Sequence, residues 1–154
     1  MKKVLIGAAV LAALSASLVS TSASAQVPAD RAVKYRQSAL TVMATSFGRI
    51  GAHIKGDIKL EPAALAQNAE VVELMSKMAF DGFLQGTEQS SGATKAKPEI
   101  WKEWDKFKKS QSDLQAATAK LYEASKSGDA KAIQAAFGQA GQACKACHDA
   151  YRAQ

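Results

Sequence analysis

Apolar residues recur along most of this chain at alternating steps of three and four, the spacing that lines one face of an α-helix. Val33, Arg36, Leu40, Met43, Phe47, Ile50 and Ile54 predict a helix from about Asp30 to Ile54, with one arginine interrupting a hydrophobic seam. Leu65, Val72, Met75, Ala79 and Phe83 predict a second over roughly Pro62 to Phe83. Trp101, Trp104, Phe107, Leu114, Thr118 and Leu121 predict a third from about Pro98 to Lys126. Ile133, Phe137, Ala140, Cys144, Cys147 and His148 predict a fourth from about Asp129 to Tyr151. Pro28, Pro62 and Pro98 each stand where a helix can begin, because a first-turn N–H has no partner inside the helix. Gly128 can end the third helix and Asp129 can cap the fourth. Gly56–Glu61 and the Gly/Ser/Thr-rich stretch Leu84–Lys97 are left as loops. Four helices with one apolar face each predict an all-α fold, an antiparallel up-down-up-down four-helix bundle with room for a cofactor between facing helices.

The first 25 residues follow a different pattern. Met1-Lys2-Lys3 is a short basic start, Val4 to Val19 is an apolar run, and Ala23-Ser24-Ala25 supplies small residues where a signal peptidase cuts. The run is shorter than the roughly 20 apolar residues that span a bilayer, so a cleaved signal peptide over residues 1–25 is expected rather than an anchor. Of 154 residues, 129 then remain as one domain, residues 26–154. The net charge of +6 falls to +4 once Lys2 and Lys3 are removed, and Lys106, Lys108 and Lys109 lie among acids along one helix. Such a balance describes a solvated helix face and gives no footing for nucleic-acid binding.

The only two cysteines stand in Cys144-Lys145-Ala146-Cys147-His148. In this string the two thiols add to the vinyl groups of haem as thioethers, and the adjoining imidazole binds iron. On a helix, steps of three and four bring Cys144, Cys147 and His148 onto one face, which suits a flat macrocycle lying against it. A zinc site would need two further ligands, and the only other histidine is His53, near the end of the first helix and expected to be exposed. A thioredoxin-like pair would follow a strand, which the pattern lacks. One haem c per chain is the cofactor expected, with His148 as its metal ligand.

In most small c-type cytochromes this motif lies near the start of the mature chain. Here it lies near the other end, on the last of four helices, in Cys144-Lys145-Ala146-Cys147-His148-Asp149-Ala150-Tyr151-Arg152. That placement resembles cytochrome c′, the high-spin class II cytochromes c. The resemblance extends to Val33-Lys34-Tyr35-Arg36-Gln37-Ser38-Ala39-Leu40 and to Pro98-Glu99-Ile100-Trp101, and so spans the mature chain. It implies an apolar residue over the haem face opposite His148, and the matching position is Leu40. Leucine has no lone pair, so iron would stay five-coordinate and open to nitric oxide and carbon monoxide. Met43, one turn on, would instead give a six-coordinate, low-spin electron carrier if its thioether reached iron, although methionine is also a common core filler.

Arg36 matches a haem-propionate partner in the family, and a buried guanidinium calls for an anion, the alternative being a side chain that snorkels to solvent. Arg152 stands four residues after His148, hence over the same helix face, and the resemblance gives it a place on the proximal side. Trp101, Trp104 and Phe107 read as core, Phe80 and Phe83 as core or pocket wall, and Gly138 and Gly141 as points of close approach. The resemblance also implies a periplasmic protein with a redox partner, no membrane contact after signal cleavage, and a homodimer through the first two helices. No distal acid–base pair of the kind peroxidase chemistry needs is present, so a turnover enzyme is not expected.

Overall fold

The computed structural model describes residues 27–88 and 94–154, and the expected signal peptide lies outside them. Five helices follow in order: α1 Ala29–Lys55, α2 Pro62–Met78, α3 Glu99–Lys102, α4 Trp104–Ser127 and α5 Ala130–Tyr151, with a 3₁₀ turn Ala79–Gly82 continuing α2. None of them is long and apolar enough to cross a membrane. α1 packs on α2, α2 on α4 and α4 on α5, which gives the four-helix bundle, while α1 and α5 approach each other only narrowly.

The local signals act where the sequence places them. Gly56, at φ 84°, ends α1, and the N–H groups of Gly56 and Asp57 close on the carbonyls of His53 and Ala52 at 3.0 and 2.9 Å. Pro62 opens α2, and Gly128, at φ 71°, ends α4. Asp129 caps α5, its Oδ1 accepting from the N–H of Lys131 at 2.9 Å and of Ala132 at 3.2 Å. His53 is half-buried rather than exposed. Its Nδ1 accepts the N–H of Leu60 at 3.1 Å and so fixes the turn between α1 and α2.

One expected helix is two. The stretch from Pro98 to Lys126 breaks at Glu103, whose φ of −115° and ψ of 42° leave the helical region. Trp101, Trp104 and Phe107 follow one another at steps of three, and on a continuous helix each step would fall about 60° short of a full turn. The break takes up that shortfall and lets all three rings meet one aromatic group: Trp104 and Phe107 lie 5.6 Å apart, and Phe83 lies 6.4 Å from Trp101 and 5.0 Å from Phe107.

The apolar seams form two clusters. The larger gathers Met43 and Ile50 of α1, Leu65 and Val72 of α2, Leu114 and Leu121 of α4, and Ile133 and Ala140 of α5. The smaller gathers Phe83, Ile100, Phe107 and Tyr151 at one end of the bundle. Leu40 and Phe80 pack against both.

Candidate functional site

Between the two clusters, where α1 and α5 stand apart, lies a cavity of about 780 Å³. Its inner end is closed by Phe47 of α1 stacked on Phe137 of α5, ring centroids 4.2 Å apart and 12° from parallel. Gly51 makes room for that stack, since a Cβ there would lie 2.9 Å from the Phe137 ring. Gly141 borders the cavity and faces Phe47, whereas Gly138 meets nothing within 4 Å and is no point of close approach.

The residues expected at the haem reach this one cavity: Cys144, Cys147, His148 and Arg152 from α5 and its end, Arg36, Leu40 and Met43 from α1. Cys144 and Cys147 are half-buried and not bonded to each other. Burial pushes both thiols up, Cys147 to about 11 with a further contribution from Cys144. A folded chain with free thiols would therefore hold them protonated and unreactive at neutral pH. His148 is exposed, and its pKa is lowered by desolvation and by Arg152 against a smaller opposing effect of Asp149. Its imidazole is thus held neutral, the form that binds a metal. Leu40 is half-buried, and Met43, 9% exposed, belongs to the larger apolar cluster as well as to the cavity wall.

Arg36 does not snorkel. It is 1% exposed, and its acceptors are neutral: Nη1 donates to the Gly82 carbonyl at 3.2 Å and to Thr87 Oγ1 at 3.0 Å, and Nη2 to Thr94 Oγ1 at 3.3 Å. The guanidinium also lies 4.6 Å from the Phe83 ring centroid and 5.5 Å from that of Trp101. Burial lowers its pKa. The approach to Gly82 is backbone-close, for a Cβ on residue 82 would meet Arg36 Cβ at 2.7 Å and the Ala32 carbonyl at 2.8 Å. Among the described residues, three of the five guanidinium N–H groups are used in these bonds.

Arg152 arrives differently from the helical spacing that suggested it. It caps α5 in an extended conformation, φ −114° and ψ 129°, with its N–H still bonded to the His148 carbonyl at 3.0 Å. Its backbone is paired with Ala96 in an isolated antiparallel bridge, made by Lys97 N–H to the Tyr151 carbonyl at 2.9 Å and Ala153 N–H to the Lys95 carbonyl at 2.8 Å. Arg152 and His148 also border a smaller hollow of about 430 Å³, together with Lys95, Lys145 and Asp149. Sequence reasoning missed Gly82, Thr87, Thr94 and the 95–97 segment, because loop residues that bond through backbone carbonyls and single hydroxyls leave no periodic trace.

The residues fit a haem. The volume falls within the roughly 300–1,000 Å³ of small-ligand sites. The walls are largely apolar, two thiols and an imidazole stand along one helix, and a cation without a carboxylate partner stands across from them. Among the described residues no cluster of three or more His, Cys, Asp or Glu could hold a metal ion by itself.

The comparisons point the same way. The family model described as Cytochrome C' matches residues 31–152. A cytochrome c′ of Alcaligenes xylosoxydans xylosoxydans is 45% identical over 123 residues, covering 80% of this chain and 94% of the relative. The crystal structure of cytochrome c′ from Rubrivivax gelatinosus superposes with a TM-score of 0.77 at 38% identity, over 81% of this chain and 97% of that one. A nitric oxide complex of a mutant cytochrome c′ from Alcaligenes xylosoxidans superposes with a TM-score of 0.76 at 40% identity, over 84% and 98%, and a carbon monoxide-bound variant of that protein matches similarly. The chain belongs to the cytochrome c′ family, whose cofactor is haem c, and it carries the two cysteines that two thioether bonds require.

Proposed function

We propose that this protein is an exported, periplasmic haem c protein that takes up nitric oxide and carbon monoxide at a five-coordinate iron, can pass single electrons, and buffers or scavenges nitric oxide. The observation that carries this reading is the convergence of Cys144, Cys147 and His148 on one wall and Leu40 on another wall of the same cavity. Cys144 and Cys147 would hold the cofactor by thioethers, His148 would ligate its iron, Arg36 would take a propionate, and Arg152 would stand near His148. When bound, haem supplies the iron that accepts a diatomic ligand and exchanges one electron. Leu40 offers neither a lone pair nor a hydrogen bond, so it keeps water and anions out while yielding to small neutral gases. The relatives solved with nitric oxide and with carbon monoxide support the same ligand class. Tyr35 and Val42 on α1 and Leu74 and Met78 on α2 are exposed, between 37% and 50%, and support a homodimer formed through those two helices.

A low-spin carrier with Met43 on iron is the competing reading, and its observation is that Met43 also borders the cavity. Optical spectra of the purified protein decide between them. The expected spectrum is high-spin in both oxidation states, carbon monoxide binds the reduced form, Leu40→Ala speeds that binding, and Met43→Leu changes little. A low-spin spectrum that turns high-spin on replacing Met43 would overturn the gas-binding reading. Cofactor retained through acid-acetone extraction is expected from the thioethers, and its loss would refute them.

A further inference from the structure

Arg152 borders the cavity on the His148 side and Arg36 on the side of α1, and one chain of bonds joins them. The guanidinium of Arg36 is a fixed post, 1% exposed and held by the Gly82 carbonyl and Thr87 Oγ1. From it Nη2 donates to Thr94 Oγ1, which also accepts the Ala96 N–H at 3.1 Å. Ala96 is in turn paired with Arg152 through the two backbone bonds of the antiparallel bridge, and the Lys97 ammonium donates to the Asp149 and Ala150 carbonyls at 3.3 and 3.2 Å. A pair flanked by such bonds has its Cα atoms at the closer of the two antiparallel spacings, so the position of Ala96 fixes that of Arg152. α5 holds only the Arg152 N–H, through the His148 carbonyl, and the extended φ and ψ of Arg152 leave the rest of the residue to the bridge.

We infer that Arg36 is a positioning residue for Arg152, acting through Thr94 and the strap Lys95–Lys97, so that the two walls of the cavity are set by one linkage. The inference rests on the haem reading above only for its effect on the cofactor, since the linkage itself is protein. Thr94 is the place to cut it, because Thr94→Val keeps the shape, leaves both arginines intact, and removes the hydroxyl that joins Arg36 to the strap.

The test is amide hydrogen exchange on the haem-loaded protein. Thr94→Val should speed exchange at Lys97 and Ala153 about tenfold, the effect of losing roughly one hydrogen bond to a charged group, and leave Ala140 in mid-α5 unchanged. Thr94→Ser should restore the original rates. Loaded protein also gives a cycle on the reduction potential, in which Thr94→Val shifts the potential in the parent and no longer shifts it when Arg152→Ala is already present. Unchanged exchange at Lys97 and Ala153, or additive shifts in the cycle, would overturn the inference. A chain that takes up no covalent haem would instead refute the cofactor reading, and exchange at the two amides would still decide the linkage.

Discussion

Replacing Arg36 by methionine tests how the cavity end of the bundle is held. Methionine keeps most of the stem's length and leaves no large void, so the change isolates the guanidinium. Thr87 Oγ1 still donates to the Leu84 carbonyl and Thr94 Oγ1 still accepts from Ala96, which leaves the Gly82 carbonyl as the group that loses its bond. An unsatisfied buried carbonyl costs about 1–3 kcal/mol. The contacts over Phe83 at 4.6 Å and Trp101 at 5.5 Å are worth about 0.5–2 kcal/mol more. Relief of the guanidinium's own desolvation, the cause of its lowered pKa, opposes these losses. The net loss expected is about 2 kcal/mol, or roughly 1 M in the midpoint of urea unfolding. It should be the same at pH 6 and pH 8, because even a lowered arginine stays charged there. A variant as stable as the parent would refute the reasoning and mean that burial of the charge cancels everything it bonds.

Other expectations follow from single residues. Asp129→Ala should cost about 1 kcal/mol, read by urea unfolding, through loss of the two capping bonds. Gly138→Ala should gain about 0.5–1 kcal/mol, since a Cβ there meets nothing, whereas Gly51→Ala should destabilise by pressing on the Phe137 ring. Tyr151 is buried, and desolvation together with Glu103 raises its pKa above the ordinary 10.0, with Lys106 opposing. Above about pH 10 the unfolded chain releases this proton before the folded one does, so stability should fall as pH rises from there and Tyr151→Phe should blunt the fall.

The helices and the meeting of Cys144, Cys147 and His148 at one cavity were legible because both are written in spacing. All seven residues of the α1 seam are buried or half-buried, and Cys144, Cys147 and His148 share the face their intervals imply. Arg36 was legible as an exception to its seam, and its burial followed. What could not be read was what answers it. Sequence logic asked for an anion, and the structure supplies a carbonyl and two hydroxyls from a loop without periodicity. The break at Glu103 was hidden for another reason: steps of three fit a helical pattern locally and only their repetition exposes the drift. Arg152 borders the same cavity as His148, and what spacing could not show is the bridge to Ala96 that holds it there together with its bond to the His148 carbonyl.

The close approach at Gly82 has a consequence for how such sequences can diverge. Any side chain at residue 82 would collide with Arg36 Cβ and the Ala32 carbonyl, and so would unseat the guanidinium even with Arg36 retained. The clash is with the Cβ that every residue but glycine carries at 36 and with backbone atoms of residues 32 and 36, so a smaller residue at 36 would not free position 82. The constraint therefore runs one way: the main chain of α1 requires the glycine whatever side chain stands at 36, while position 36 can vary with the glycine in place. A library randomised at both positions and selected for haem retention should return glycine at 82 with or without arginine at 36, and arginine with a side chain at 82 rarely.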